Sequence, residues 1–120
     1  FAEPLSFIGI HNEWRKDKVR TAQINTLLNA IKDHTNPIIL AGDFNGQAND
    51  ASLLPFHKEP WIIHDKKSAK TWPADNPKVE IDFIITKNLT PSTTTHYVVN
   101  EQVASDHRPI FAEFIFNSIK

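Results

Sequence analysis

"PIILAGDFNG", Pro37 to Gly46, is the stretch on which the reading of the fold turns. The apolar run Ile38-Ile39-Leu40 has strand length and no polar break, as in a buried strand. It stops abruptly in Gly42-Asp43-Phe44-Asn45-Gly46, where two glycines bracket an acid and an amide. Taken alone this is a turn, because Asp and Asn bond nearby backbone and tolerate left-handed geometry. The alternative is a strand end at which Asp43 and Asn45 do chemistry. The rest of the chain has to decide between the two.

Working outward, Leu5 to Ile10 is a short apolar run of strand length, ended by His11-Asn12-Glu13. A helix is predicted from Asp17 to Asp33. Ile24, Leu27, Leu28 and Ile31 recur at i, i+3, i+4 and i+7, one face of a helix. Val19 and Ala22 extend the stripe by a turn, and Asp17 is a candidate cap. Asn36-Pro37 blocks continuation, because the residue before a proline disfavours helix. Downstream, Asn49 to Ser52 begins a short second helix that Pro55 stops. Four of the eight prolines, at 55, 60, 73 and 77, mark His57 to Pro77 as mostly loop. Val79 to Thr86 alternates: Val79, Ile81, Phe83 and Ile85 share one face, and Glu80, Asp82 and Ile84 the other. Tyr97 to Val99 and Pro109 to Phe116 complete about five strands. The fold class is α/β (α+β), with one main helix.

The 120 residues suit one domain with a real core, and 40% apolar content marks it as globular. Thirteen basic residues against fourteen acidic ones leave a net charge of -1. That excludes a strong basic field for nonspecific nucleic-acid binding. Without cysteine there is no disulfide, zinc-thiolate or thiol chemistry. No apolar run approaches the ~20 residues that span a bilayer, so a soluble chain with no transmembrane segment is expected. Phe1-Ala2-Glu3-Pro4 has no leader character, and the chain has no Met, so it reads as an excised segment whose compartment is unknown.

Four polar sites fall at strand ends or inside strands: His11, Asp43 with Asn45, Asp82, and Asp106 with His107. Each has a plain explanation. A histidine after a strand is commonly a surface residue. Asp82 sits in a strand pattern that disfavours Asp, but its side of the strand can face solvent. Ser105-Asp106-His107-Arg108-Pro109 reads as a polar loop. Together they are less ordinary. A carboxylate beside a histidine orients the ring and stabilises its cation. Clustered carboxylates with an amide suit a hard divalent cation and a phosphoryl oxygen. Spacing alone does not bring them to one rim.

At these residues the chain resembles the endonuclease/exonuclease/phosphatase superfamily, also called deoxyribonuclease I-like. "IGIHNEW" resembles its histidine-bearing strand, and "RTAQINTLLNAI" the helix that follows. "PIILAGDFN" is close to its Gly-Asp-Phe-Asn signature. "TWPADNP…EIDFIIT" looks like its Thr-rich loop and Ile-Asp-Tyr-Ile strand, with Phe83 for Tyr. "SDHRPIFAEF" is close to its Ser-Asp-His-x-Pro signature. The similarity runs from about Leu5 to Phe116.

The resemblance implies half of a two-layer α/β sandwich and metal-dependent hydrolysis of a phosphoester. His107 would be the general base or a phosphate ligand, and Asp82 its partner. Asp43 would position water or reach the metal. Asn45 would donate to a phosphoryl oxygen, and His11 would stabilise charge there. Asp106 would join Asp43 at the metal. Mg²⁺ suits such an oxygen-rich site, with Mn²⁺ as a substitute. The substrate stays open among nucleic acid, phospholipid and sugar phosphate.

Family members also carry an amino-terminal half with a metal-binding Glu. Glu13 and Glu80 match no such motif, so residues 1–120 read as the carboxy-terminal portion of one domain, a fragment that would be incomplete alone. One helix cannot cover every apolar strand face, so the missing half or a second copy of the chain is expected to do so. Arg15, Lys16, Lys18 and Arg20 form one basic cluster, and Lys66, Lys67 and Lys70 another. Trp72 is expected to pack rather than stack on a ligand. The competing function is a noncatalytic binding or scaffold module that retains the fold.

Overall fold

The computed structural model of the chain describes residues 4–117. Its elements run β1 (Ser6–His11), α1 (Asp17–Ala30), β2 (Ile38–Asp43), a 3₁₀ helix (Ala51–His57), β3 (Trp61–Ile63), β4 (Asp82–Lys87), β5 (Thr93–Val98) and β6 (Ile110–Ile115). They form a four-stranded sheet, ordered β1-β2-β4-β3, and a two-stranded β5-β6 sheet. β1 and β2 are parallel neighbours, which obliges the connection to cross over, and α1 is that crossover. β4 runs antiparallel to both β2 and β3.

The core lies between one sheet face and the helices. Ile38, Leu40, Phe83 and Ile85 from the sheet meet Ile24 of α1 and Leu53 and Phe56 of the 3₁₀ helix. Phe44, just past β2, is fully buried there, its ring edge-on to Phe56 and Phe83 at 6.2 and 5.9 Å. Leu27, Leu28 and Ile31 close the same core, as the helical spacing predicts.

The stripe does not extend to Val19 and Ala22, which are exposed. The buried residue of that turn is Arg20, 4% exposed, whose guanidinium grips both carboxylate oxygens of Asp50 at 2.8 and 3.1 Å and Asp17 at 2.7 Å. Asp17 is therefore not a cap: Lys16 holds that position, with no side-chain cap bond. Asp50 does cap, accepting from the backbone N–H of Ser52 while holding Arg20. One carboxylate thus ties α1 to the 3₁₀ helix. Pro55 lies inside that helix rather than ending it.

Two further differences concern strands. Trp61–Ile63, expected as loop, pairs with β4 at Lys87 to Ile85; three residues are too few to show a period. The strand expected over Val79–Thr86 begins at Asp82, and Val79 forms only an isolated bridge with Trp72. Moreover, β4 has no solvent face. Asp82, Ile84 and Thr86 are buried along with Phe83 and Ile85. β6 packs against β4, and Phe114 stacks edge-on to His64, which bonds Thr86 Oγ1 at 2.7 Å. The β5-β6 pair therefore covers the β4 end of the second sheet face. Among the described residues, nothing covers the β1 end of that face, where Phe7 is exposed.

Candidate active site

Register assembles the site. His11 pairs with Asp43 across β1 and β2, and Asp43 pairs with Asp82 across β2 and β4. Register partners project from the same face of a sheet. Three polar residues, separated by dozens of positions in sequence, therefore form one row at one sheet edge. The connection from β5 to β6 returns over that row and adds His107 and Asp106. Its position is held by backbone bonds from Ala74 N–H to the Asp106 carbonyl (2.7 Å) and from Arg108 N–H to the Thr71 carbonyl (2.8 Å).

The row needs a close approach of β1 to β2, and Gly42 permits it. Its φ is +144°, and a Cβ there would stand 2.1 Å from the Ile10 carbonyl oxygen. Three residues on, Asn45 adopts φ +50°, left-handed geometry that Asn tolerates. Its backbone N–H donates to Asp43 Oδ1 at 2.8 Å, and its amide donates to the Asn12 carbonyl at 2.7 Å. The stretch is thus a turn, as its composition suggests, and that turn aims the remaining Asp43 oxygen. Oδ2 lies 3.5 Å from His107 Nε2 and 3.9 Å from His11 Nε2.

His107 Nδ1 lies 2.9 Å from Asp82 Oδ2. An ionised carboxylate only accepts, so Nδ1 carries the proton and donates. Asp82 is 8% exposed, which disposes of a solvent-facing explanation for it. Burial works against the His107 cation, but the bond to Asp82 and the charges of Asp82, Asp43 and Asp106 outweigh it. The ring is held above its ordinary value. Asp43 is also raised, first by burial, with the nearby Asp82 charge adding to it. The Asn45 N–H and the two histidines pull the other way.

Asp43, Asp82 and His107 each offer a ligand atom within 4.8 Å of the others. Asp106 stands apart from that set. Its side chain is exposed and lines the rim of a cavity of about 380 Å³, shared with His11, Trp14, Asp43, Asn45, Trp72, Val79, Ile81 and His107.

Other groups lie elsewhere than expected. Arg20 and Lys66 are withdrawn from the two basic clusters. Lys66 has a fully buried side chain, 2.6 Å from Glu80 and 4.3 Å from the Phe83 ring centre. Glu80 is thereby engaged, and Glu13 accepts from the Arg15 backbone N–H at 3.0 Å. Trp72, expected to pack, is 40% exposed at the cavity, and Trp14, which sequence reasoning passed over, is 64% exposed there. Its only signal was its place just after the histidine-bearing strand.

The family model described as Endonuclease/Exonuclease/phosphatase family matches residues 5–107. The chain belongs to the endonuclease/exonuclease/phosphatase family. This is a family of phosphoester hydrolases, and the row at the strand ends is where its signatures converge in this chain. Among solved structures, a mannosyl-6-phosphatase of Bacteroides thetaiotaomicron superposes with a TM-score of 0.68 at 19% identity, covering 92% of this chain and 51% of that one. Truncated Caenorhabditis elegans TDP2 gives 0.69 at 15%, covering 91% and 53%. A Staphylococcus aureus beta toxin variant with bound magnesium ions gives 0.66 at 18%, covering 91% and 52%. These likenesses establish the shared fold, and the chain spans about half the length of each. No curated protein matches the sequence. Among the described residues, no helix is long and apolar enough to cross a membrane.

Proposed function

We propose that the chain is the carboxy-terminal part of a metal-dependent phosphoester hydrolase. The observation that carries this is the row His11-Asp43-Asp82 capped by His107, with the raised Asp43 carboxylate facing the cavity. Phosphoryl transfer asks for an oriented nucleophile and for positive or hydrogen-bonding partners on the phosphoryl oxygens.

Asp43 Oδ2 accepts a proton from the attacking water and holds its oxygen in line; as the new P–O bond forms, the P–O bond to the alcohol breaks and the alkoxide leaves, taking a proton from solvent. His107, protonated, donates from Nε2 to a phosphoryl oxygen. Asp82 fixes the ring and balances its charge. His11, largely exposed, donates from the other side of Asp43. One amide hydrogen of Asn45 is engaged by the Asn12 carbonyl, which holds the side chain so that the other can reach the phosphoryl group.

Asp43, Asp82 and His107 each offer a ligand atom within 4.8 Å of the others, and the Asp43 oxygen that faces the cavity is the acceptor that fits a hard divalent cation, Asp82 being engaged with His107. Asp43, with Asp106 at the rim, would hold Mg²⁺ or Mn²⁺. When bound, the ion supplies Lewis-acid charge to the phosphoryl oxygens. The magnesium in the beta toxin variant supports the choice of metal. One of the similar structures is named a mannosyl-6-phosphatase, which supports a small phosphoester as substrate.

The second half of this reading concerns completeness. The open sheet face at Phe7 and the exposed Tyr97, Phe111 and Ile115 of the β5-β6 pair would be covered by an amino-terminal half or a second copy. Hydrolysis of bis-p-nitrophenyl phosphate with Mg²⁺ or Mn²⁺, by this chain and by a full-length version, tests the proposal. Metal-dependent turnover by the full-length protein is expected. Its absence would overturn the enzyme reading in favour of a binding module.

A further inference from the structure

Two indoles stand at the mouth of the cleft, and no step above uses them. Trp14 lies between β1 and α1, and Trp72 between β3 and β4, yet both line the cavity that holds His11, Asp43, Asn45 and His107. An indole left in water forgoes a large apolar burial. The fold uses the Trp72 backbone, whose carbonyl accepts from Lys78 at 2.8 Å and Val79 at 3.1 Å, and leaves the ring at the cavity. Trp61, by contrast, is packed edge-on against Phe56. The Arg15 guanidinium lies 4.6 Å from the centre of the Trp14 ring, which steadies that indole and sets a positive charge at the rim.

The surroundings narrow what the indoles would meet. Among the described residues, Arg20 and Lys66 are engaged inside the fold and no lysine or arginine lines the cavity, so this chain offers a polyanionic strand no row of cations there. A cavity of about 380 Å³ is at the small-molecule end of ligand sites. A lipid surface would ask for aromatics on an outward face, whereas these flank the reacting groups.

We propose that Trp14 and Trp72 form a stacking slot for the alcohol part of the substrate. The preferred substrate is then a small phosphoester of a ring-bearing alcohol, a sugar or a nucleoside. This rests on the phosphoesterase reading above. A pyranose offers its C–H face to an indole and a base its π face, while an acyclic alcohol offers neither. Stacking of this kind is worth about 5- to 150-fold when an aromatic is removed.

The test uses glucose 6-phosphate and AMP as the two ring esters and glycerol 3-phosphate as the acyclic one. Binding is read by indole fluorescence quenching, and kcat/KM with Mg²⁺ is read on the full-length protein. Both readouts should favour at least one ring ester over glycerol 3-phosphate by about fivefold or more. Whichever ring wins names the source. W14A and W72A should collapse that ratio, and W72F should restore most of it. Equal binding of all three esters, a ratio unmoved by W14A and W72A, or stronger binding to phosphatidylcholine vesicles than to either ring ester would overturn the slot. Ring-selective binding without metal-dependent turnover would sink the hydrolase reading and leave the slot standing.

Discussion

Asp82 fixes which His107 nitrogen faces the cavity. Replacing it with Asn removes the nearest charge that raises the ring and leaves a neutral amide, whose NH₂ competes with its oxygen for the position facing Nδ1. Asp82→Asn should lower the His107 titration midpoint, measurable by NMR of the ring protons, and reduce full-length turnover by about 10²-fold or more. An unchanged midpoint would show that Asp82 does not hold the ring. The sign of the stability effect follows. A histidine raised in the folded state stabilises it fully below the unfolded value of 6.5, and the gain is lost as pH rises through the folded value. Gly42 makes a second prediction at this scale. Any Cβ at φ +144° and 2.1 Å from the Ile10 oxygen forces β1 and β2 apart. Gly42→Ala should destabilise by about 2 kcal/mol or more in urea unfolding, and disturb His11 and Asp43 together.

Between elements, the Arg20–Asp50 pair is the joint between α1 and the 3₁₀ helix. The Arg20 bond is the main reason the Asp50 carboxyl is lowered to about 2. A depressed carboxyl contributes stability above its unfolded value of 3.8, and that contribution is lost as pH falls through about 2. The shift corresponds to about 2 kcal/mol. Asp50→Ala leaves a buried guanidinium with the exposed Asp17 and the Glu13 carbonyl, and should cost about 3–5 kcal/mol in denaturant unfolding. A cost under 1 kcal/mol would show that the joint contributes little. A second joint, between the sheets, has the opposite acid response from His107. Burial lowers both His64 and His96. His64 also feels His96, while His96 faces Lys66, Glu80 and Asp65 and bonds the Phe111 carbonyl at 2.6 Å. A depressed histidine leaves stability intact above 6.5 and removes it as pH falls from 6.5 toward the folded value. Thermal melts should therefore drop as pH falls below about 6.5, and His96→Gln should flatten part of that drop. Melts flat between pH 6.5 and 5 in the unaltered chain would contradict it. Because the connection from β5 to β6 carries His107, loosening this joint reaches the cleft.

For the molecule as a whole, the second sheet face decides its behaviour in solution. It is covered over β4 and open over β1, and the outer face of the β5-β6 pair carries the stacked Tyr97 and Phe111. Sedimentation analysis should show self-association of the 120-residue chain, or binding to a separately made amino-terminal half. Phe7→Asp and Phe111→Asp should weaken it. A monodisperse monomer that ignores the other half would refute the expected pairing.

The sequence by itself determined the local pieces. Hydrophobic period marked α1 through Ile24, Leu27, Leu28 and Ile31, and the apolar runs marked β1, β2 and β6. Its ordered signatures also named the family and the residues to watch. It did not reveal β3, whose three residues are held by pairing with β4, nor the burial of Asp82, against which the connection from β5 to β6 sets His107. It misjudged Arg20 and Trp72 for the same reason: alternation and spacing assign a side to a residue, whereas the partner on that side comes from elsewhere. Only the register of β1, β2 and β4 brought His11, Asp43 and Asp82 into one row. Gly42-Asp43-Phe44-Asn45 is a turn by its own chemistry, and tertiary pairing makes it the floor of a cleft.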